Sequence, residues 1–309
     1  LLKPVGGFIY EASRFLNLPL PEVPFYVKDW LPKQGKAEIY GQAKAGKSFL
    51  AIQLARCIAS GEDFIGMETS RAPVLYLQFE LGAKILQDRM RSTGQSYDDV
   101  FLGTTFSMKL DTPSGQKQFL RAIVAVEPKV IILDPFYKII SGDENESQDV
   151  IKITNFLDEI IEGFNCSILL LHHAGKDLSR GGRGSSVLEG WADSYLEMKR
   201  VSRNGEALRA NITPKLLRHA SLPPESIELV LSNNFEFESV EGVAKSNTIL
   251  DKVRGRLTEK GQATGGELIA EGVGRRKSIY DALKTLQENG QVVKEGLIYS
   301  WVELKEVSA

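Results

Sequence analysis

The chain has 309 residues, 42% of them hydrophobic and 25% charged, with a formal net charge of -2. This is a globular composition with room for one large domain and one small one. It excludes a globally basic nucleic-acid binder, so any basic surface must be local. No apolar run approaches the length of a membrane-spanning helix and the N-terminus shows no signal-peptide pattern. Cys57 and Cys166 lack metal-ligand spacing. The expectation is a reduced, cytoplasmic protein with no membrane partner.

Residues 1–35, with LPLPEVPFYVKDWLP, read as an irregular N-terminal arm rich in proline and aromatics. From 36 to 232 short apolar runs alternate with amphipathic stretches. AEIYG, PVLYLQFE, KVIILDP and CSILLLHH read as buried strands, while KSFLAIQLARCIAS, AKILQDRMRSTG and SQDVIKITNFLDEIIEGF read as helices. That alternation predicts an α/β domain with a mostly parallel sheet covered by helices. After Trp191 the texture shifts to ADSYLEMKRV, ALRANITPKLL and ESIELVLS, more like consecutive antiparallel strands. Residues 233–245 are polar and read as a linker. Residues 246–309 read as a second unit of helix, short helix, helix and two short strands.

The most specific motif is GQAKAGKS, which fits G-x-x-x-x-G-K-[ST] between a predicted strand and a predicted helix. It comprises Gly41, Gln42, Ala43, Lys44, Ala45, Gly46, Lys47 and Ser48, with Phe49 next. Such a loop turns backbone N–H groups and a helix N-terminus toward phosphates; Lys47 adds a full charge, and the Ser48 hydroxyl suits Mg²⁺. The implied ligands are ATP and Mg²⁺. Gln42 stands where partition-type ATPases carry a second signature lysine, which argues against that group. VIILDP places Asp134 at the end of an apolar strand, where it would join Ser48 in holding Mg²⁺. LYLQFE places Glu80 at the end of an earlier strand, where a carboxylate can orient and deprotonate an attacking water.

The order of these features resembles a RecA-like P-loop ATPase core. GQAKAGKS, LYLQFE, VIILDP, LLLHHAGK, GRGSS and GWADS over residues 25–232 resemble the RepA-type family of plasmid and phage hexameric helicases. The resemblance implies a histidine that senses the γ-phosphate at the end of LLLHH. Strand alternation sends His172 and His173 to opposite faces without saying which reaches inward, and our sequence reading leans to His172. It implies a DNA-gripping loop after that strand, here with Lys176, Arg180 and Arg183. It also implies a basic residue reaching a neighbour's γ-phosphate, for which ITPKLLRHA offers Lys215 and Arg218, with Arg209 as a rival. Such a finger requires a homo-oligomer, expected as a ring of six.

The C-terminal unit looks like a winged helix. Arg275, Arg276 and Lys277 open its third helix, where phosphates and base edges are met, and Ile279, Ala282, Leu283 and Leu286 form that helix's buried face. The expected function is an ATP-hydrolysing motor on single-stranded DNA, a helicase or translocase. The alternatives are a RecA- or RadA-like filament former and an ATP-switched DNA-binding regulator with slow hydrolysis.

Overall fold

A computed structural model describes residues 10–104, 106–173, 186–202, 206–220, 225–240, 249–273, 276–288 and 291–301. The chain divides into two units, Leu1–Pro224 with Glu228–Ser239, and Glu225–Ile227 with Val240–Ala309.

In the first unit a short helix α1 (Ala12–Phe15) precedes a small antiparallel pair, β1 (Phe25–Val27) and β2 (Leu31–Pro32). Tyr26, Val27, Trp30 and Leu31 are buried, so the core takes in the second half of what reads in sequence as an arm. The chain then runs through β3 (Lys36–Gly41), α2 (Lys47–Ser60), β4 (Val74–Gln78), α3 (Ala83–Ser92), β5 (Val100–Thr104) and α4 (Pro113–Val126). It continues with β6 (Val130–Asp134), a 3₁₀ turn at Phe136–Lys138, α5 (Ser147–Phe164), β7 (Ser167–His173) and α6 (Ser186–Trp191). Four strands complete the sheet: β8 (Ser194–Arg200), β9 (Arg209–Leu217), β10 (Ile227–Leu231) and β11 (Phe237–Ser239).

These form a nine-stranded sheet in the order β11-β10-β9-β8-β3-β7-β6-β4-β5. The six strands from β8 to β5 are parallel, and β8 and β9 are antiparallel. β4, β6 and nearly all of β3 and β7 are buried along their length, which is why they read as continuous apolar runs. The sequence reading missed β5 and α4. The first is a half-exposed edge strand. The second starts where Thr112 accepts a hydrogen bond from the Gly115 N–H at 3.2 Å, with Pro113 opening the helix. The sequence signals for α4 are this cap and the i, i+4, i+8 spacing of its buried residues Gly115, Phe119 and Ile123.

β11 lies inside the stretch expected to be a linker. The Gln53 amide donates to the Phe237 carbonyl at 2.9 Å and its oxygen accepts from the Phe237 N–H at 2.8 Å, while the Phe237 ring is buried. The boundary between the units therefore falls at residue 240 rather than 233.

The second unit comprises α7 (Ile249–Lys260), β12 (Gln262–Thr264), α8 (Gly265–Ala270), α9 (Arg276–Glu288), β13 (Val292–Glu295) and β14 (Ile298–Trp301), with the sheet order β12-β14-β13. Thr264 and Glu267 cap α8 reciprocally. Ile279, Ala282, Leu283 and Leu286 of α9 are buried with Val253, Leu257 and Tyr299 in a core of the unit's own.

Candidate functional site

The geometry starts at the end of β3. A side chain at Gly41 would meet the Met198 carbonyl at 2.1 Å, so neighbouring backbone, not only the motif, dictates glycine there. The loop then turns through Lys44 at φ 63° and Gly46 at φ 102°, a left-handed conformation that favours glycine. Gly46 is the N-cap of α2, and a side chain there would strike the Phe237 ring and Leu208. The first N–H groups of this 14-residue helix thus remain available to an anion.

Lys47, the first residue of α2, is buried. Its ammonium donates to the Gly41 carbonyl at 2.8 Å and the Gln42 carbonyl at 2.9 Å, and lies 3.4 Å from His173 Nδ1. Burial pushes its pKa down to about 8, against the pull of Asp134 and Glu80. Asp134, at the end of β6, is 2% exposed and accepts from the Tyr76 hydroxyl at 2.7 Å. Burial raises its pKa, while hydrogen bonds from Tyr76 and Ser48 and the charge of Lys47 oppose the rise. Ser48 and Asp134 line the same cavity, and both offer hard oxygen donors of the kind Mg²⁺ prefers. Among the described residues no group of three or more His, Cys, Asp or Glu side chains could hold a metal ion. An ion at Ser48 and Asp134 would complete its shell with substrate phosphate and water.

Glu80 lies two residues beyond β4, in a turn fixed by hydrogen bonds from the Glu80 and Leu81 N–H groups to Gln78 Oε1 at 2.7 and 2.5 Å. The Tyr137 hydroxyl donates to Glu80 Oε1, and Oε2 stands 3.9 Å from His173 Nε2. Burial and then the adjacent Glu80 push the Tyr137 phenol well above its usual pKa, so it remains a donor.

Lys44, Gly46, Lys47, Ser48, Phe49, Glu80, Asp134 and His173 line one cavity of about 240 Å³, together with Leu81, Arg89 and Leu208. Two larger grooves, about 350 and 550 Å³, lie along β5 and are lined chiefly by apolar side chains without a comparable convergence of charge.

The histidine expectation is corrected here. It is His173, not His172, that reaches the cavity wall. His172 is 1% exposed and lies 3.0 Å from Glu38 Oε1 on β3, with its other nitrogen 3.6 Å from Glu144 Oε2, an ion-pair distance rather than a hydrogen bond. Burial alone would lower its pKa, but Glu144 and Glu38 outweigh it and raise the imidazole to about 9. Burial, followed by the charge of Lys47, lowers the pKa of His173.

The proposed finger residues are engaged within their own chain. Lys215 pairs with Glu197 at 2.8 Å and Arg209 with Glu228 at 2.8 Å. Arg218 donates to the Gly190 carbonyl and lies 3.6 Å from Asp193. Register places Leu217 opposite Ser194 at the far end of the sheet from the P-loop, whereas β9 begins beside the Gly41 end. Arg276 opens α9 and is exposed. Lys176, Arg180, Arg183 and Arg275 lie outside the described residues, as does the side chain of Lys277.

The sequence reading missed Arg89, whose guanidinium sits 4.2 Å over the Phe49 ring, which in turn stacks on Phe235 at 5.4 Å. No short motif marks it, because it belongs to the cavity through helix position alone.

Comparison with known proteins agrees with this architecture. The family model AAA_25, described as an AAA domain, matches residues 10–179. The crystal structure of the KaiC-like protein PH0186 from the hyperthermophilic archaeon Pyrococcus horikoshii OT3 superposes with a TM-score of 0.52 at 16% identity. The match covers 69% of this chain and 93% of that one. At that identity the likeness speaks to the fold: a RecA-like α/β core with a mostly parallel sheet.

Proposed function

The chain belongs to the AAA domain family matched over residues 10–179; we propose that it is a P-loop ATPase of the RecA/KaiC type that works as a ring-forming motor on single-stranded DNA, a helicase or translocase. The observation that carries the ATPase chemistry is the convergence of Lys47, Ser48, Glu80, Asp134 and His173 on one cavity, just beyond the C-terminal ends of adjacent parallel strands.

In this reading the P-loop N–H groups and Lys47 hold the β- and γ-phosphates. Glu80 takes a proton from a water whose oxygen bonds to the γ-phosphorus while the bond to the β–γ bridging oxygen breaks, giving ADP and phosphate. Ser48 and Asp134 would hold Mg²⁺, which would supply charge neutralisation on the phosphates. In this reading His173, 3.4 Å from Lys47 and 3.9 Å from Glu80, registers the γ-phosphate. It is the last residue of β7, and the segment that follows carries Lys176, Arg180 and Arg183, residue types suited to a nucleic-acid backbone. A neighbour's Arg218, Lys215 or Arg209 would complete the site by exchanging its present ion pair for the γ-phosphate.

The second unit supports the DNA reading through its element order and three-stranded sheet, which match a winged helix, with Arg276 exposed at the start of α9. One observation favours the filament alternative: Phe15, Leu16, Leu20 and Val23 of the N-terminal arm are exposed and apolar. Turnover measured with and without single-stranded DNA tests the motor, together with electron microscopy of the DNA complex. DNA-stimulated hydrolysis on closed rings is expected. Filaments would favour the recombinase alternative, and slow turnover indifferent to DNA would favour an ATP-switched regulator.

A further inference from the structure

The two residues after Pro135 are matched, one for one, to the two histidines that end β7. Phe136 is fully buried and its ring lies 5.4 Å from that of His172. Tyr137 takes the opposite direction, and its ring lies 5.5 Å from that of His173 on the cavity wall. The Tyr137 hydroxyl is thereby brought to Glu80 Oε1. A phenol donating to an ionised carboxylate is a charge-assisted hydrogen bond, stronger than a neutral one and directional. Glu80 follows the end of β4 and rests on a turn held by Gln78, so its backbone is fixed while its carboxyl torsions are not. Tyr137 fixes them.

We infer that Tyr137 is a positioning residue for hydrolysis: it holds the Glu80 carboxylate by Oε1 and leaves Oε2 as the proton acceptor. The inference deepens the ATPase reading above and rests on it. Tyr137 lies in the 3₁₀ turn that directly follows Asp134 and Pro135, three residues beyond the strand that bears Asp134, so the phosphate-side carboxylate and the clamp on the base are set by one stretch of backbone. Lys138 lies 5.2 Å over the Tyr137 ring and its carbonyl accepts from Lys109 at 2.8 Å, which anchors the turn.

The test compares four proteins: the unmodified chain, Tyr137→Phe, Glu80→Gln and the double variant. Phenylalanine keeps the ring against His173 and removes only the hydroxyl. The expected result is a kcat lower by about 10- to 100-fold in Tyr137→Phe, the scale of a misaligned reacting group, with KM for ATP within about twofold. Glu80→Gln should lose more, and the double variant should be no slower than Glu80→Gln alone, because Tyr137 acts through that carboxylate. Losses that multiply in the double variant, a Tyr137→Phe effect confined to KM, or an unchanged kcat would each overturn the inference. Failure of the underlying reading looks different: Glu80→Gln itself would keep its turnover.

Discussion

His172 and His173 show how much one residue of register decides. Both end the same apolar strand, yet one is enclosed between two carboxylates and the other faces the phosphate loop. His173→Ala should lower turnover by about 10-fold or more while nucleotide binding, followed with a fluorescent ATP analogue, persists. His172→Asn should act on stability instead. Removing one partner of a buried pair leaves Glu38 uncompensated, at a cost of about 3–5 kcal/mol, read as a lower midpoint in denaturant. Equal effects of both variants on turnover, with no loss of stability in His172→Asn, would contradict this division. The pH dependence follows from the same pair. The folded-state pKa of His172 is raised to about 9, so its contribution is fully present below the ordinary histidine pKa and is lost as pH rises through about 9. Thermal stability should fall between about pH 7 and 9, and His172→Asn should remove that part of the fall.

That Lys47, Ser48, Asp134 and Glu80 line one cavity was legible because the first two sit in a motif of fixed spacing and the two carboxylates each close an apolar run. The choice between the histidines was not legible, because Glu38, the partner that draws His172 inward, lies 134 residues away. Arg89 was invisible for the same reason: its place depends on how α3 packs, which no local pattern encodes.

At the scale of elements, the sequence signal was good where burial was complete and poor at the edges of the sheet. β6 and β7 are continuous apolar runs because helices cover both faces, whereas β5 and β11 are edge strands whose partly polar sequences resemble loops. β11 owes its place to Gln53 in α2, 184 residues earlier. Gln53→Ala leaves the N–H and carbonyl of Phe237 without that partner, and should cost about 2–4 kcal/mol from two lost buried hydrogen bonds. Because Phe237 also packs against Gly46, the variant should bind ATP more weakly as well. Urea unfolding and a nucleotide titration on the same preparation would check both, and unchanged values in both would show that β11 is the linker its composition suggests.

At the scale of the whole molecule, two units with separate cores share one chain. All of the cavity-lining residues belong to the first. A chain ending at residue 240 should therefore retain its ATP turnover in the absence of DNA to within about twofold. If the second unit binds DNA through Arg276 and its neighbours, the truncated chain should also show a shallower dependence of DNA affinity on salt, by about one unit of log–log slope per phosphate contact removed. Loss of basal turnover on truncation would show that the site needs the second unit. An unchanged salt slope would remove that unit from the DNA-binding surface. The α/β class was readable from the alternation of apolar runs over residues 36–232, whereas the second unit was read from its own pattern of helix, short helix, helix and two short strands. The boundaries were not, because β1, β2 and β11 are short strands that the sheet and the core stabilise only after folding.

The most direct test of the central claim is ATP binding and Mg²⁺-dependent ATP hydrolysis by the full chain beside its Glu80→Gln variant. The site geometry predicts equal nucleotide affinity in the two proteins and turnover lower by about 10²–10⁴-fold in the variant, the usual contribution of a positioned general base. A variant that hydrolyses ATP at the unmodified rate, or a chain that binds no ATP, would contradict it.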